Sequence, residues 1–389
     1  MPRPNSVYAS LPVTVFERMS RLARDHHAVN LGQGFPDDPG PEPIRRRAAE
    51  AVLDGWNQYP PMMGLAELRS AAAAHYGRWQ SLTLDPESDV MVTSGATEAI
   101  AAALFALVEP GDEVVLFEPI YDAYLPLLRR AGATPRFVKL NPPEWRLDEA
   151  AIRAALGPRT KAVLFNNPLN PSGTVFGRDD LETLARALAG TDAALISDEV
   201  WEHVVFDGRE HVSALAVPGL AERTVKIGSA GKMFCMTGWK VGLVCAPAEL
   251  LAVVAKAHQF LTFTTPPNLQ AAVAFGLDTQ DDWIRAMRAR LATKRDRFST
   301  SLREAGFAPL PSGGTYFVNV DLAPLGVSDD AAFCERLVRK AGVAAIPVSA
   351  FYADDHVRTV VRFCFAKEDE TLDEAARRLK AFMARTIPA

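Results

Sequence analysis

Cysteine is scarce in this chain: Cys235, Cys245, Cys334 and Cys364 are the only four in 389 residues, and no two form a CxxC pair. So few thiols cannot staple a chain of this length, which points to a reducing compartment and to cysteines that act as small buried hydrophobes. Long apolar runs are also missing. The stretch 99–108 falls well short of the roughly 18 residues needed to span a bilayer, and no basic-then-apolar leader opens the chain, so the expected location is the cytoplasm. Neither charge sign is in large excess: 42 Lys and Arg against 47 Asp and Glu leave −5, with no run of five like charges. That balance argues against a nucleic-acid surface as the main task. Seven histidines include no HExxH, GxSxG is absent, and Gly32-Gln33-Gly34 lacks the third glycine of a dinucleotide fingerprint. No metal is expected, and the serine-hydrolase and dinucleotide readings lose their motifs.

What is present is an ordinary globular composition, 48% hydrophobic and 23% charged, in a chain longer than one core usually holds. Seven β-rich runs, at 89–93, 113–118, 135–140, 161–166, 193–198, 224–228 and 241–246, are several times continuously apolar. Helical spacing fits between the earlier ones, at 97–108, 121–131, 147–156 and 179–189. Strands buried on both faces and alternating with helices predict an α/β domain around a mostly parallel seven-stranded sheet. After Pro266–Pro267 the pattern turns to long charged helices near 282–305 and 372–385 with a few strands between them, a smaller α+β unit. The first thirty residues are too short and Pro-punctuated to fold alone, so they are expected to pack on that unit or on a partner chain.

Open α/β sheets bind ligands where strands end. After the first run, Ser94-Gly95-Ala96-Thr97-Glu98 opens a helix, which is either a plain N-cap or a phosphate site. After the fourth comes Asn166-Asn167-Pro168-Leu169-Asn170-Pro171-Ser172-Gly173, which turn chemistry alone would explain. The fifth ends in Ser197-Asp198-Glu199, where a buried carboxylate requires a cationic partner. The sixth runs into Gly228-Ser229-Ala230-Gly231-Lys232, a lysine among glycines and apolar residues. Desolvation there lowers an amine's pKa and makes it a nucleophile toward carbonyls. Gly231-Lys232 looks like the core of a P-loop, but the first glycine of that motif would fall on Lys226 and Met233 follows the lysine. Arg362 sits inside the apolar run Val360-Val361-Arg362-Phe363-Cys364, a setting that calls for an anion.

In order and spacing these residues resemble the pyridoxal-5′-phosphate aminotransferases of fold type I, class I/II. Within them the chain is similar to the methionine aminotransferases and the kynurenine aminotransferases (glutamine transaminase K, cysteine-conjugate β-lyase). The resemblance runs from Asn30-Leu31-Gly32-Gln33-Gly34-Phe35-Pro36 to Arg362-Phe363-Cys364-Phe365, and Ser229-Ala230-Gly231-Lys232 with Thr237-Gly238-Trp239-Lys240 is its most specific block. It implies a large cofactor domain over 30–275 and a small discontinuous domain from 1–29 and 276–389. It implies that Lys232 carries the cofactor and shuttles the proton, and that Asp198 salt-bridges the pyridine nitrogen. Asn170 would hydrogen-bond the cofactor's phenolic oxygen and Tyr121 would stack on its ring. Gly95, Ala96, Thr97, Ser229 and Lys240 would hold the phosphate. Tyr59 would reach the phosphate of a neighbouring subunit, which makes the expected assembly a homodimer with shared active sites. Arg362, with Gly34 and Asn170, would grip the substrate α-carboxylate. Phe263 and Thr264 from the partner chain, together with Phe16, would shape the side-chain pocket. One position departs from the family: a tyrosine that donates to the phenolic oxygen is replaced by Trp201 in Asp198-Glu199-Val200-Trp201.

The function so implied is ping-pong exchange of an amino group between an α-amino acid (methionine, glutamine or aromatic) and a 2-oxo acid. A cysteine-conjugate β-lyase would use the same Lys232 and Asp198, and an N-succinyldiaminopimelate aminotransferase is a further alternative. A non-catalytic cofactor-binding regulator is disfavoured, since Lys232, Asp198 and Arg362 are all present and no helix-turn-helix is appended.

Overall fold

All seven β-rich runs become strands of one sheet, with ends within one residue of those read from the sequence. They are β1 (Val90–Thr93), β2 (Glu113–Glu118), β3 (Thr134–Lys139), β4 (Thr160–Asn166), β5 (Ala194–Asp198), β6 (Thr224–Ser229) and β7 (Gly242–Cys245). The structure, a computed structural model, describes residues 2–354 and 356–386. The sheet order is β1-β7-β6-β5-β4-β2-β3, and β7 alone runs antiparallel to its neighbours. β1, β2 and β7 are buried at every position, whereas β3, with the sequence TPRFVK, alternates toward solvent. A polar strand at the sheet edge is a common way to protect an unpaired backbone.

Alternate residues of the inner strands feed two cores. Val114, Leu116, Leu164, Ile196 and Ile227 pack with Ile100, Leu104 and Val254, whereas Val115, Phe117, Val163, Leu195 and Leu243 join the larger core on the other face. Period-two alternation puts successive side chains on opposite faces, so both faces must be covered by helices.

A second, antiparallel sheet has the order Ile346–Pro347, Val360–Cys364, Phe317–Asp321, Ala308–Pro309. Arg362 lies in its interior, opposite Asn319 on one side and Ile346 on the other. Val29–Asn30 pairs in parallel with Val343–Ala344, and helix Val15–Asp25 packs against the same region. The N-terminal segment thus joins the C-terminal part of the chain, as its composition predicts.

One local expectation needs correction. The helix expected at 121–131 begins later, as Tyr124–Arg130, because Tyr124 N–H donates to the Tyr121 carbonyl and closes a turn first. The long charged helices expected near 282–305 and 372–385 are Asp281–Glu304 and Asp369–Thr386, and another helix precedes them. Pro267–Thr279 is apolar and packs between helices Glu42–Leu53 and Ala66–Gln80, which sequence periodicity did not single out.

A buried charge cluster ties β5 to β6 on the face where Ser197 pairs with Lys226. Lys226, fully buried, donates to Glu202 Oε2 at 2.5 Å, lies 3.4 Å from Glu199 Oε2 and sits 4.1 Å from the centre of the Tyr76 ring. Burial alone would strip its proton, yet the two carboxylates hold its pKa above the usual lysine value. Glu199 is held down to about 2 against its own burial by Lys226, His211 and the Ala214 N–H. Gly228 makes the cluster possible: a Cβ there would lie 2.3 Å from the Tyr76 hydroxyl and 2.7 Å from Glu202 Oε1. Removing one partner of a buried ion pair strands the other charge. Lys226→Ala should therefore lower stability by about 3–5 kcal/mol in urea unfolding. Lys226→Met with Glu202→Gln should recover most of that loss, and a single variant as stable as wild type would show that the cluster contributes nothing.

Candidate active site

The carboxyl ends of β1, β4, β5 and β6 converge on a cavity of about 200 Å³. Each end contributes the residues expected from the sequence: Gly95, Ala96 and Thr97 after β1, Asn170 after β4, Asp198 and Trp201 from β5, and Ser229 and Lys232 from β6. Tyr121 and Lys240 complete the wall.

At the β1 end, helix Ala96–Leu107 starts at Gly95, whose φ is +82°, and no side chain caps it. A Cβ on Gly95 would sit 2.9 Å from Lys240 Cε, so only glycine lets that ammonium lie against the helix start. Glu98 holds the approach by accepting from the Ser94 N–H at 3.0 Å and contacting His258 Nδ1 at 3.0 Å. Among the described residues no carboxylate pairs with Lys240. Free backbone N–H groups, the Ser229 and Thr97 hydroxyls and an unpaired ammonium make a site suited to a dianion.

Lys232 is the first-turn lysine of helix Ala230–Met233, which Ser229 caps by accepting from the Lys232 N–H at 3.3 Å. Its Nζ lies 3.4 Å from the Gly34 carbonyl and 4.4 Å above the centre of the Trp201 ring. Tyr316 donates to the Lys232 carbonyl at 2.8 Å, and its ring meets Trp201 edge-on at 4.7 Å. Burial, helped by the Arg362 and Lys240 charges and opposed by Asp198, pushes the Lys232 amine down to about 8. Near neutral pH a useful share of it is therefore an uncharged nucleophile.

Asp198 is only 4% exposed and accepts the Tyr124 hydroxyl at 2.5 Å. Burial pushes its pKa up to about 6, although Tyr124, the Val200 N–H and Lys232 pull the other way. At neutral pH it is mainly a carboxylate, confined where a cation would relieve it. Asn166 aligns the neighbouring strand ends, donating to the Asp198 carbonyl at 2.9 Å and accepting from the Asn170 N–H at 2.8 Å.

Arg362 reaches the cavity region from the second sheet. It is 1% exposed, donates from Nη1 to Asn170 Oδ1 at 3.0 Å and from Nη2 to the Gly32 carbonyl at 2.9 Å. Its Nε is buried without a hydrogen-bond partner. The guanidinium carbon stands 3.9, 5.2 and 5.3 Å from the ring centres of Phe317, Phe351 and Phe16. Burial pushes its pKa down to about 10 and the nearby Asp122 carboxylate opposes this, so it stays charged, and among the described residues no carboxylate forms an ion pair with it. Gly34 belongs here too, since a Cβ on it would strike Phe317 at 2.6 Å.

Tyr59, Phe263 and Thr264 do not line this cavity. Tyr59 is 80% exposed and meets Phe263 edge-on at 5.6 Å, on a surface that also exposes Leu53, Trp56 and Phe260. Tyr124, Asn166 and Tyr316 were not anticipated as site residues. The first two lie within the segments inspected, three residues after Tyr121 and at the last position of β4, so their placement was the available signal.

An amine with a lowered pKa, a buried carboxylate, a helix start beside an ammonium and an arginine with an unpartnered Nε thus gather around one cavity. Residues 26–379 match the family Aminotransferase class I and II. The chain is 48% identical over 383 residues to a probable N-succinyldiaminopimelate aminotransferase, DapC, of Mycobacterium tuberculosis, covering 96% of each chain. It is 44% identical over 377 residues to the methionine aminotransferase of Escherichia coli, covering 97% of this chain and 98% of the other. Solved structures agree: the M. tuberculosis N-succinyldiaminopimelate aminotransferase superposes with a TM-score of 0.94 at 48% identity, covering 98% of this chain and 100% of that one. The E. coli methionine aminotransferase gives 0.95 at 43% identity with the same coverage. The chain belongs to the class I and II aminotransferases, a family that uses pyridoxal 5′-phosphate, and it is an aminotransferase. No helix among the described residues is long and apolar enough to cross a membrane.

The electrostatics of Lys232 can be read directly on the ligand-free protein. Its reductive methylation should rise through a midpoint near pH 8, below that of surface lysines. Because the Asp198 charge favours the ammonium, Asp198→Asn should move that midpoint down; an upward move would contradict the assigned sign.

Proposed function

We propose that this chain binds pyridoxal 5′-phosphate at the cavity and exchanges the amino group of an α-amino acid (methionine, glutamine or aromatic) with a 2-oxo acid in two half-reactions. The observation that carries this reading is the Lys232 amine and the Asp198 carboxylate bordering one buried cavity. The residues present fit the group: the Gly95–Lys240 cradle suits a phosphate, and the unsatisfied Arg362 Nε suits a carboxylate.

When bound, the cofactor supplies an electron sink for the substrate's Cα electrons. Asp198 would hold a proton on the ring nitrogen. The neutral Lys232 amine would take the proton from the substrate Cα and return it at the neighbouring position. Arg362, with Asn170 and Gly34, would hold the α-carboxylate. Trp201, Tyr121 and Asn170 would hold the ring, and Ser229, Thr97 and Lys240 the phosphate.

The aromatic rings of Phe16 and Phe351 beside Arg362 favour an apolar side chain, as does the methionine aminotransferase likeness. The second reading, N-succinyldiaminopimelate as donor, is favoured by the 48% identity to the mycobacterial relative. The exposed Tyr59 and Phe263, with the half-buried Thr264 next in the chain, support a homodimer in which these residues complete the partner's site. In that arrangement residues 30–275 form the cofactor domain and 1–29 with 276–389 the smaller one.

Absorbance of the protein loaded with pyridoxal phosphate, followed against methionine, glutamine, phenylalanine and N-succinyldiaminopimelate, tests the reading. Wild type should show a visible band that methionine discharges faster than the succinylated donor, and Lys232→Ala should lose turnover by several orders of magnitude. A faster response to the succinylated donor would favour the second reading, pyruvate release from cysteine conjugates without a 2-oxo acid would reveal lyase activity, and turnover without Lys232 would sink the assignment.

Trp201 allows a separate check. Lacking a phenol donor and facing the Lys232 nitrogen with an aromatic ring that favours cations, it should raise the pH midpoint of the bound cofactor's absorbance. Trp201→Tyr should titrate lower, by about half a unit or more. Equal midpoints would mean that the indole N–H replaces the missing phenol.

A further inference from the structure

Asp198 sits in the cavity wall without a salt bridge among the described residues, and the hydrogen bonds that reach its carboxylate differ greatly in strength. Oδ1 accepts the Val200 N–H at 3.3 Å, close to the limit of a useful bond. Oδ2 accepts the Tyr124 hydroxyl at 2.5 Å. Tyr124 is 2% exposed and is the first residue of helix Tyr124–Arg130, with its ring edge-on to Tyr121 at 5.7 Å. The turn that starts this helix, from the Tyr124 N–H to the Tyr121 carbonyl, therefore sets both aromatic side chains against the cavity.

We propose that Tyr124 is a positioning residue for Asp198, whose hydroxyl fixes the carboxylate's orientation and keeps it ionised where a cationic ring nitrogen must meet it. The role toward the ring nitrogen rests on the function proposed above. Burial raises the Tyr124 phenol well above its ordinary range, so the group keeps its proton and can only donate to the carboxylate. Charged and titratable groups facing Asp198 from the surrounding elements are Tyr124 and Tyr121, Lys232 on its own helix, and Glu199 next on the strand. Burial raises Asp198, and of the contributions that oppose this the Tyr124 hydrogen bond is the largest, ahead of the Val200 N–H and Lys232. Without that donor the acid would take up a proton nearer neutral pH, and a neutral acid cannot pair with a charged ring nitrogen.

The test is an infrared pH titration of the protonated carboxyl band in the ligand-free protein, assigned by its loss in Asp198→Asn. Wild type should titrate near 6, and Tyr124→Phe should titrate higher by about one unit, a tenfold change in proton affinity. Tyr124→His, which restores a ring N–H donor at the same place, should draw the midpoint back. A Phe variant that titrates as wild type would overturn the proposal. A shift that His leaves untouched would assign it to packing and would overturn it as well. Wild-type capture of pyridoxal phosphate, read by absorbance on the same preparation, tests the functional reading apart: its failure would undo that reading while leaving the Tyr124–Asp198 coupling measurable.

Discussion

Two opposite charges at one cavity, the Asp198 carboxylate and the Lys232 ammonium, set the terms for the structure around them. Burial opposes both, raising the acid and lowering the amine. Their mutual attraction offsets only part of that cost, so each needs a neutral helper that donates or accepts without adding charge. Tyr124 serves the acid, and the Gly34 carbonyl and the Trp201 ring serve the amine. A full counterion in either place would be stronger, but it would also neutralise the group that the proposed chemistry needs. Phenols, carbonyls and aromatic faces stabilise a charge while leaving it available.

Strand geometry decides which of two neighbouring acids receives a true counterion. Asp198 and Glu199 are adjacent in sequence, and alternation at the end of β5 sends them to opposite faces. Glu199 meets Lys226 and His211 in a closed cluster, whereas Asp198 faces the cavity with a phenol. The cluster also explains a residue otherwise read as part of a glycine-rich loop. Gly228 leaves room for the Tyr76 hydroxyl and Glu202, and so permits the packing that fixes the strand from which Ser229 and Lys232 emerge. Charge thus holds β6 in place, and the helix that follows it carries the Lys232 amine.

Much of this was legible in the sequence because it is local. Apolar runs marked the seven strands, and polar residues at their ends marked the cavity, since both depend on periodicity and on where a strand stops. What stayed hidden depends on pairs distant along the chain. The cationic partner demanded by the Ser197-Asp198-Glu199 segment proved to be Lys226 for Glu199, and no local pattern distinguishes a lysine inside a strand from one at its edge. Tyr124 falls inside the helix expected at 121–131, and nothing in the local pattern links its hydroxyl to Asp198, 74 residues away in the chain. Helix Ala66–Gln80 shows no clear apolar stripe because the run Ala71–Ala74 blurs its period and Arg69 and His75 are buried among its apolar residues, and with Glu42–Leu53 it is recognised only by its packing on Pro267–Thr279. Tyr59, Phe263 and Thr264 form a different case: within one chain Tyr59 and Phe263 meet solvent and each other and Thr264 is half-buried, so only the resemblance gives them a place in a site.

Arg362 connects the two sheets. Its backbone is committed to the middle of an antiparallel sheet by pairing with Asn319 and Ile346, while its side chain bonds Asn170 in the loop that follows β4. Asn319 reinforces the same junction by donating to the Pro171 carbonyl at 2.9 Å. A carboxylate bound at Arg362 would therefore pull on two separately folded sheets through one guanidinium. Asn170, the residue that the proposed reading gives to both cofactor and substrate, is already held at this junction by its backbone through Asn166 and by its side chain through Arg362. Asn170 is thus one of several contacts that join the second sheet to the first, alongside Asn319 on the Pro171 carbonyl and Tyr316 on the Lys232 carbonyl, and in the proposed reading substrate grip and cofactor contact would meet there.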